Sequence, residues 1–169
     1  LVSGQRTADF EELHLLTPGM AWSSDGKRLA LATKSGAEDA IIIIDVDSGH
    51  EEKLELGLDG IFSIDWTPNI DSSKPGGTLV FVGTSRGRSD LYTYDLDAKR
   101  LTNLTDDVFS DADPVWSADA KTIYFSSDRT TYLDPAGVPP GLKLQAYGFL
   151  QLDLYALEVA LGDDVAVHL

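Results

Sequence analysis

Two short stretches carry residues that could do chemistry. Gly83-Thr-Ser85-Arg-Gly87 has the Gly-x-Ser-x-Gly spacing that exposes a serine nucleophile on a sharp strand-to-helix turn. It runs directly into Asp90-Leu-Tyr-Thr-Tyr94, an apolar and aromatic strand pattern, so no helix can follow Ser85. The stretch reads as a hairpin loop, and without the helix the motif supplies no nucleophile. The second stretch, Asp106-Asp107-Val-Phe-Ser-Asp111-Ala-Asp113, places four carboxylates in eight residues. Hard carboxylate oxygens on a loop can bind calcium, which makes Asp111 and Asp113 a candidate cation site beside the plainer reading of a solvated acidic loop. The ligand spacing of a dedicated calcium loop is missing. His14, His50 and His168 fall in or beside three different predicted outer strands, without metal-ligand spacing. With no cysteine, disulfides, thiolate catalysis and cysteine-bound zinc are excluded. The sequence thus points to no catalytic residue, and to no cofactor beyond the candidate calcium.

The elements that would position these residues repeat. Three tryptophans open three copies: Met20-Ala-Trp22-Ser-Ser-Asp25-Gly26, Ile64-Asp-Trp66-Thr-Pro68 and Pro114-Val-Trp116-Ser-Ala-Asp119-Ala120. Trp22 to Leu29 and Trp116 to Ile123 both span 7 residues, whereas Trp66 to Leu79 spans 13 because the second turn is longer. Each copy then has an apolar run ending in an acid, at Asp45, Asp95 and Glu158. Leu29 to Asp45 and Leu79 to Asp95 are both 16 residues; Ile123 to Glu158 is 35, an insertion of 19. Each copy reads as four short strands joined by tight turns. The repeats span about 18–60, 61–108 and 109–169, with the insertion over 130–151. The predicted fourth strands are Lys53–Leu56, Arg100–Thr105 and Val165–Leu169. Glu12–Leu16 reads as the fourth strand of a preceding copy. Repetition at one register gives Trp22, Trp66 and Trp116, and the acids Asp45, Asp95 and Glu158, structural roles. The predicted class is all-β, with three four-stranded antiparallel propeller blades.

Composition narrows the partners. Among 169 residues, 28 Asp and Glu face 13 Lys and Arg, a net charge of −15. That balance repels phosphate and excludes a simple nucleic-acid binder. No apolar run approaches the roughly 18–20 residues of a membrane span. Few lysines against many aspartates is also a composition that keeps a chain soluble in high salt.

The third copy, Pro114-Val-Trp116-Ser117-Ala-Asp119-Ala-Lys121-Thr-Ile123-Tyr-Phe125-Ser-Ser127-Asp128-Arg129, resembles the TolB-like propeller repeat. So do Asp90-Leu91-Tyr92-Thr-Tyr94-Asp95 and Asp153-Leu154-Tyr155, and the resemblance covers about residues 14–169. It implies a non-enzymatic scaffold that holds a protein or peptide partner, in the periplasm or otherwise outside the cytoplasm of a bacterium. Similar propellers flank a separate catalytic domain in tricorn-like and prolyl-oligopeptidase-like peptidases, which is the alternative reading. The second and third copies depart from the pattern at Thr67-Pro68-Asn69 and at Ala120, where glycine is usual.

Three blades cannot close a ring, since known propellers have about 4–8. The chain is therefore either part of a longer propeller or half of a six-bladed ring completed as a homodimer. The insertion carries Tyr132, Leu142, Tyr147 and Phe149, more apolar surface than a solvated loop needs. These four are the expected interaction residues, unless they pack back on the blades.

Overall fold

The computed structural model of the chain describes residues 12–13, 19–68, 76–129, 142–143 and 153–159, with backbone alone at 12, 13, 142, 143 and 153. The described residues form three antiparallel sheets and no helix. The first sheet contains β1 (Glu12–Leu13), β2 (Met20–Trp22), β3 (Arg28–Ser35), β4 (Glu38–Asp45) and β5 (Glu51–Leu58). The second runs in order β6 (Gly60–Trp66), β7 (Thr78–Ser85), β8 (Arg88–Asp95) and β9 (Arg100–Asn103). The third contains β10 (Asp111–Trp116), β11 (Thr122–Ser127), β12 (Leu142–Lys143) and β13 (Asp153–Glu158). These sheets are blades 1, 2 and 3.

Each inner strand pairs its tryptophan with the same position of the next strand: Trp22 with Leu29, Trp66 with Leu79, Trp116 with Ile123. Period-2 alternation then gives every blade two apolar faces, which stack on neighbouring blades. Ala30, Ala32, Ile41, Ile43 and Leu54 of blade 1 pack against Trp66, Leu79, Phe81, Tyr92 and Tyr94 of blade 2. Val80, Val82, Leu91 and Leu104 on the other face of blade 2 pack against Trp116, Ile123, Phe125 and Tyr155 of blade 3. Gly83 of blade 2 lies against Leu58 of blade 1 and the Tyr92 ring of its own blade. A methyl group there would lie 2.6 Å from the Tyr92 ring and 2.8 Å from a Leu58 methyl. Gly83→Ala is expected to cost about 1–3 kcal/mol by overpacking, read as a lowered urea midpoint.

The inner strands of blades 2 and 3 carry matching bulges, between Phe62 and Asp65 and between Ala112 and Val115. Ser63 and Asp113 occupy them with φ of 50° and 51°. The Ser63 hydroxyl donates to Asp113 Oδ1 at 3.1 Å, joining the two bulges across the blade boundary. The first hairpin turn is also conserved between copies in geometry. Gly26 N donates to Ser23 O and Ala120 N to Ser117 O, both at 2.9 Å. Ala120 adopts φ of 55° where Gly26 has 69°. The third copy thus holds an alanine in the left-handed region, at a cost of about 1–2 kcal/mol.

Two expectations are corrected. Glu12–Leu13 is not the outer strand of a preceding copy. It pairs with Thr33–Lys34 on the same edge of β3 as β2 does, where Gly60–Ile61 pairs with Gly83–Thr84 in blade 2. It therefore prolongs the inner strand of blade 1. The outer position of blade 3 is taken by Leu142–Lys143, from within the stretch read as an insertion, paired with Ala156–Leu157. Any extended segment can satisfy the free edge of β13, so periodicity alone did not identify this one. Val165–Leu169 lies outside the described residues.

Candidate functional site

Ser85 ends β7 and pairs with Arg88 across a two-residue turn. Arg86 and Gly87 fill that turn with φ of 53° and 77°, the double positive φ of a tight hairpin. Arg86 N donates to Asp59 Oδ2 at 2.9 Å. A strand follows, and Ser85 has the surroundings of a loop residue. His50 is exposed at the start of β5; His14 and His168 lie outside the described residues.

The repeated acids hold turns. Asp25 accepts from Ser23 Oγ at 2.6 Å and Lys27 N at 3.1 Å. Asp119 accepts from Ser117 Oγ at 2.6 Å and Lys121 N at 3.2 Å. Asp45 accepts from Ser48 Oγ at 2.6 Å and Ser48 N at 2.8 Å. The serine hydroxyl bond, first of several, holds each of these three carboxyls below its ordinary pKa. Asp95 accepts from Asp97 N and Ala98 N in the same manner. Glu158 closes β13 opposite Thr122.

The acidic stretch divides between two environments. Asp113 is exposed on the bulge. Asp111 is buried and engaged at both oxygens by Arg129, with NH2 to Oδ2 at 3.2 Å. Arg129 also bonds Asp107 and Ser127 Oγ, and Tyr155 donates to its carbonyl. The rings of Phe109, Phe125 and Tyr155 surround its guanidinium at 5.4–5.9 Å. Burial raises the Asp111 carboxyl, against the pull of Arg129. Burial alone would lower Arg129, but its bonds and charge contacts with Asp111 and Asp107 outweigh that and raise it. Asp111 is therefore the counter-ion of the buried Arg129, while Asp113 accepts from Ser63 Oγ. Among the described residues no group of three or more metal-ligating side chains is gathered. Tyr132, Tyr147 and Phe149 lie outside the described residues, and Leu142 is described in backbone alone.

The three tryptophans share a register but not an environment. Trp66 and Trp116 are 6% and 8% exposed, whereas Trp22 is 55% exposed. Trp66 lies under the Arg28 guanidinium of blade 1, 5.0 Å from the ring centre, and its indole N–H donates to Gly76 O at 3.2 Å. Each buried tryptophan faces the preceding blade. Trp22 opens the first of the three described blades. A cleft of about 420 Å³ at the edge between blades 1 and 2 is lined by Asp25, Lys27, Arg28, Asp45, His50 and Glu52, among others.

Residues 14–132 match the TolB beta propeller domain. The chain belongs to the TolB beta-propeller family. No curated protein matches it. Solved structures share the fold. A structure assigned to TolB from Agrobacterium tumefaciens is 23% identical, with a TM-score of 0.54 over 63% of this chain and 36% of that one. TolB from Acinetobacter baumannii is 23% identical, with 0.55 over 75% and 30%. The tricorn protease is 19% identical, with 0.58 over 86% and 14%. The chain thus spans about a third or less of the length of these structures.

In this TolB-type propeller the residues that join blades escaped the sequence reading. Asp65 Oδ2 accepts from Trp116 N at 2.7 Å while Oδ1 accepts from Trp66 N at 2.9 Å, so one carboxylate spans two blades. Buried Asp39 of blade 1 accepts from Ile61 N of blade 2 at 3.0 Å. Asp65 is an acid between Ile64 and Trp66 in an apolar strand pattern, and that mismatch is the signal that could have found it; Asp39, beside Glu38 at the polar start of its strand, gives no such signal.

Proposed function

We propose that this chain is a non-enzymatic binding part of a TolB-type propeller, holding a protein or peptide partner outside the bacterial cytoplasm. The observation that carries the reading is how the fold employs its ionisable groups. Asp25, Asp45 and Asp119 are turn acceptors. Asp111 and Arg129 neutralise each other, and Tyr92, its pKa raised by burial, stacks on Phe81. The groups whose protonation the fold alters serve structure, and none forms a poised acid–base pair. With a net charge of −15, the partner is of basic character. The cleft between blades 1 and 2 offers Asp25, Asp45, Glu52 and Asp97 to such a partner, beside Lys27 and Arg28.

The test titrates the chain with labelled peptides of equal length and graded charge. Lysine-rich peptides are expected to bind, more weakly as salt rises, and to be recovered intact by mass spectrometry. Equal binding of acidic peptides would overturn the proposed partner class. Cleavage of any peptide, abolished by Ser85→Ala, would overturn the non-enzymatic reading. The second reading, a non-catalytic propeller of a larger peptidase, keeps these blades and puts the chemistry elsewhere. A hydrolase segment encoded in frame with them would establish it.

A further inference from the structure

The cleft of about 420 Å³ where blades 1 and 2 meet combines an apolar strip with an acidic rim. Ile43 of β4 and Leu96, the residue after β8, supply the strip. Asp25, Asp45, Glu52 and Asp97 supply the rim. Two cations line it as well, Lys27 and Arg28. Arg28 is already engaged, since it donates to Gly76 O at 3.2 Å and lies over the Trp66 ring. Four carboxylates against two cations leave an excess of two negative charges. Lys99 of blade 2 shows which kind of group this rim attracts. Its ammonium reaches Glu52 of blade 1 at 3.7 Å, across the blade boundary.

His50 lines the same cleft, immediately before β5. Its carbonyl accepts from Asp45 N at 2.9 Å and its N–H donates to Ser48 Oγ at 3.2 Å. The turn thus holds its backbone beside Asp45. The charged groups around it are Asp45 and Asp47 on its own turn and Glu51 and Glu52 on β5. Asp25, Lys27 and Arg28 stand on the first hairpin of blade 1, and Asp97 and Lys99 on blade 2. Histidine is the side-chain type that ordinarily gains a proton between pH 8 and 5. The serine hydroxyl bonds hold the Asp25 and Asp45 carboxyls below the usual range, so both stay negative over that interval.

We propose that this cleft takes one lysine or arginine side chain of the partner, and that protonation of His50 loosens its hold. The stem of such a side chain lies on Ile43 and Leu96 while its charged head reaches the rim, the usual arrangement where apolar surface borders water. A proton on His50 cancels half of the excess negative charge. One unit charge about 4–6 Å from another in a watery cleft changes an affinity about three- to fivefold. The inference rests on the basic-partner reading above and adds the point of contact and its control.

The probe is the capped peptide Gly-Gly-Lys-Gly-Gly, with norleucine in place of lysine as the control, titrated into the 15N-labelled chain. The lysine peptide is expected to move the amide signals of Ile43 and Leu96 and the ring signals of His50, and the norleucine peptide to leave them. Affinity should fall about three- to fivefold from pH 7.5 to pH 5.5. His50→Gln should keep the pH 7.5 affinity at both values, and Glu52→Gln should weaken binding at both. Both positions are exposed, and circular dichroism checks that the blades persist. A pH dependence that survives in His50→Gln would overturn the control by His50. Binding that leaves the signals of Ile43, His50 and Leu96 unmoved would overturn the cleft while sparing the basic-partner reading. No binding of the lysine peptide, or of the lysine-rich peptides above, would overturn both.

Discussion

Arg129→Met is expected to destabilise the propeller by about 3–5 kcal/mol, the cost of leaving a buried charge without its partner. Asp111 is 2% exposed and Arg129 4% exposed, so water cannot replace the lost guanidinium. The effect should appear as a lowered urea midpoint with the slope unchanged. Its pH dependence identifies the cause. Burial already holds the folded pKa of Asp111 above its ordinary value of 3.8, and losing Arg129 raises it further. A raised carboxyl contributes stability below its unfolded pKa and loses that contribution as pH rises through the folded one. The deficit of Arg129→Met should therefore shrink as pH falls toward 3.8, where Asp111 enters the fold as the neutral acid. A deficit that stays constant with pH would assign Arg129 a packing role only. Arg129→Met combined with Asp111→Leu should recover part of the loss, because both buried charges are gone.

The second large effect separates three residues that the sequence makes equivalent. Trp66→Ala and Trp116→Ala are each expected to cost about 3–5 kcal/mol, the usual range for deleting a buried tryptophan. Trp66→Ala also removes the ring under Arg28 and the bond to Gly76 O. Trp22→Ala should cost less than about 1 kcal/mol in a dilute sample, as substitutions at exposed sites do. Equal costs at all three positions would mean that Trp22 is covered within the single chain.

The contrast among the tryptophans also shows where the sequence could be read and where it could not. Register was legible because turn length and strand alternation are local. The spacing from Trp116 to Ile123 and the run from Leu91 to Tyr94 place those residues without knowledge of their neighbours. Burial was not legible, since it depends on whether another blade lies against the face. Arg129 stood in the repeat motif, and Asp107 and Asp111 stood in an acidic stretch. Nothing in either pattern says that a carboxylate 18 residues upstream meets that guanidinium. The pairing is set by blade 3 folding its inner strand beside β11. Likewise, an acid at position 65 of an inner strand is explained only by the next blade, which supplies the backbone N–H of Trp116. Gly83-Thr-Ser85-Arg-Gly87, by contrast, was readable as a hairpin because its turn is closed locally, by Ser85 and the adjoining Arg88.

The contact between blades 1 and 2 and the contact between blades 2 and 3 use one front and one back, never two of a kind. Leu29 and Leu79, and Leu54 and Leu104, lie 50 residues apart in the chain. A misaligned recombination between two copies of such a gene would therefore excise or add one whole front-and-back unit. Every surviving junction would meet a partner of the type it had before. Blade number can thus drift through ancestry without any single junction being redesigned, and selection would act on whether the resulting arc can close.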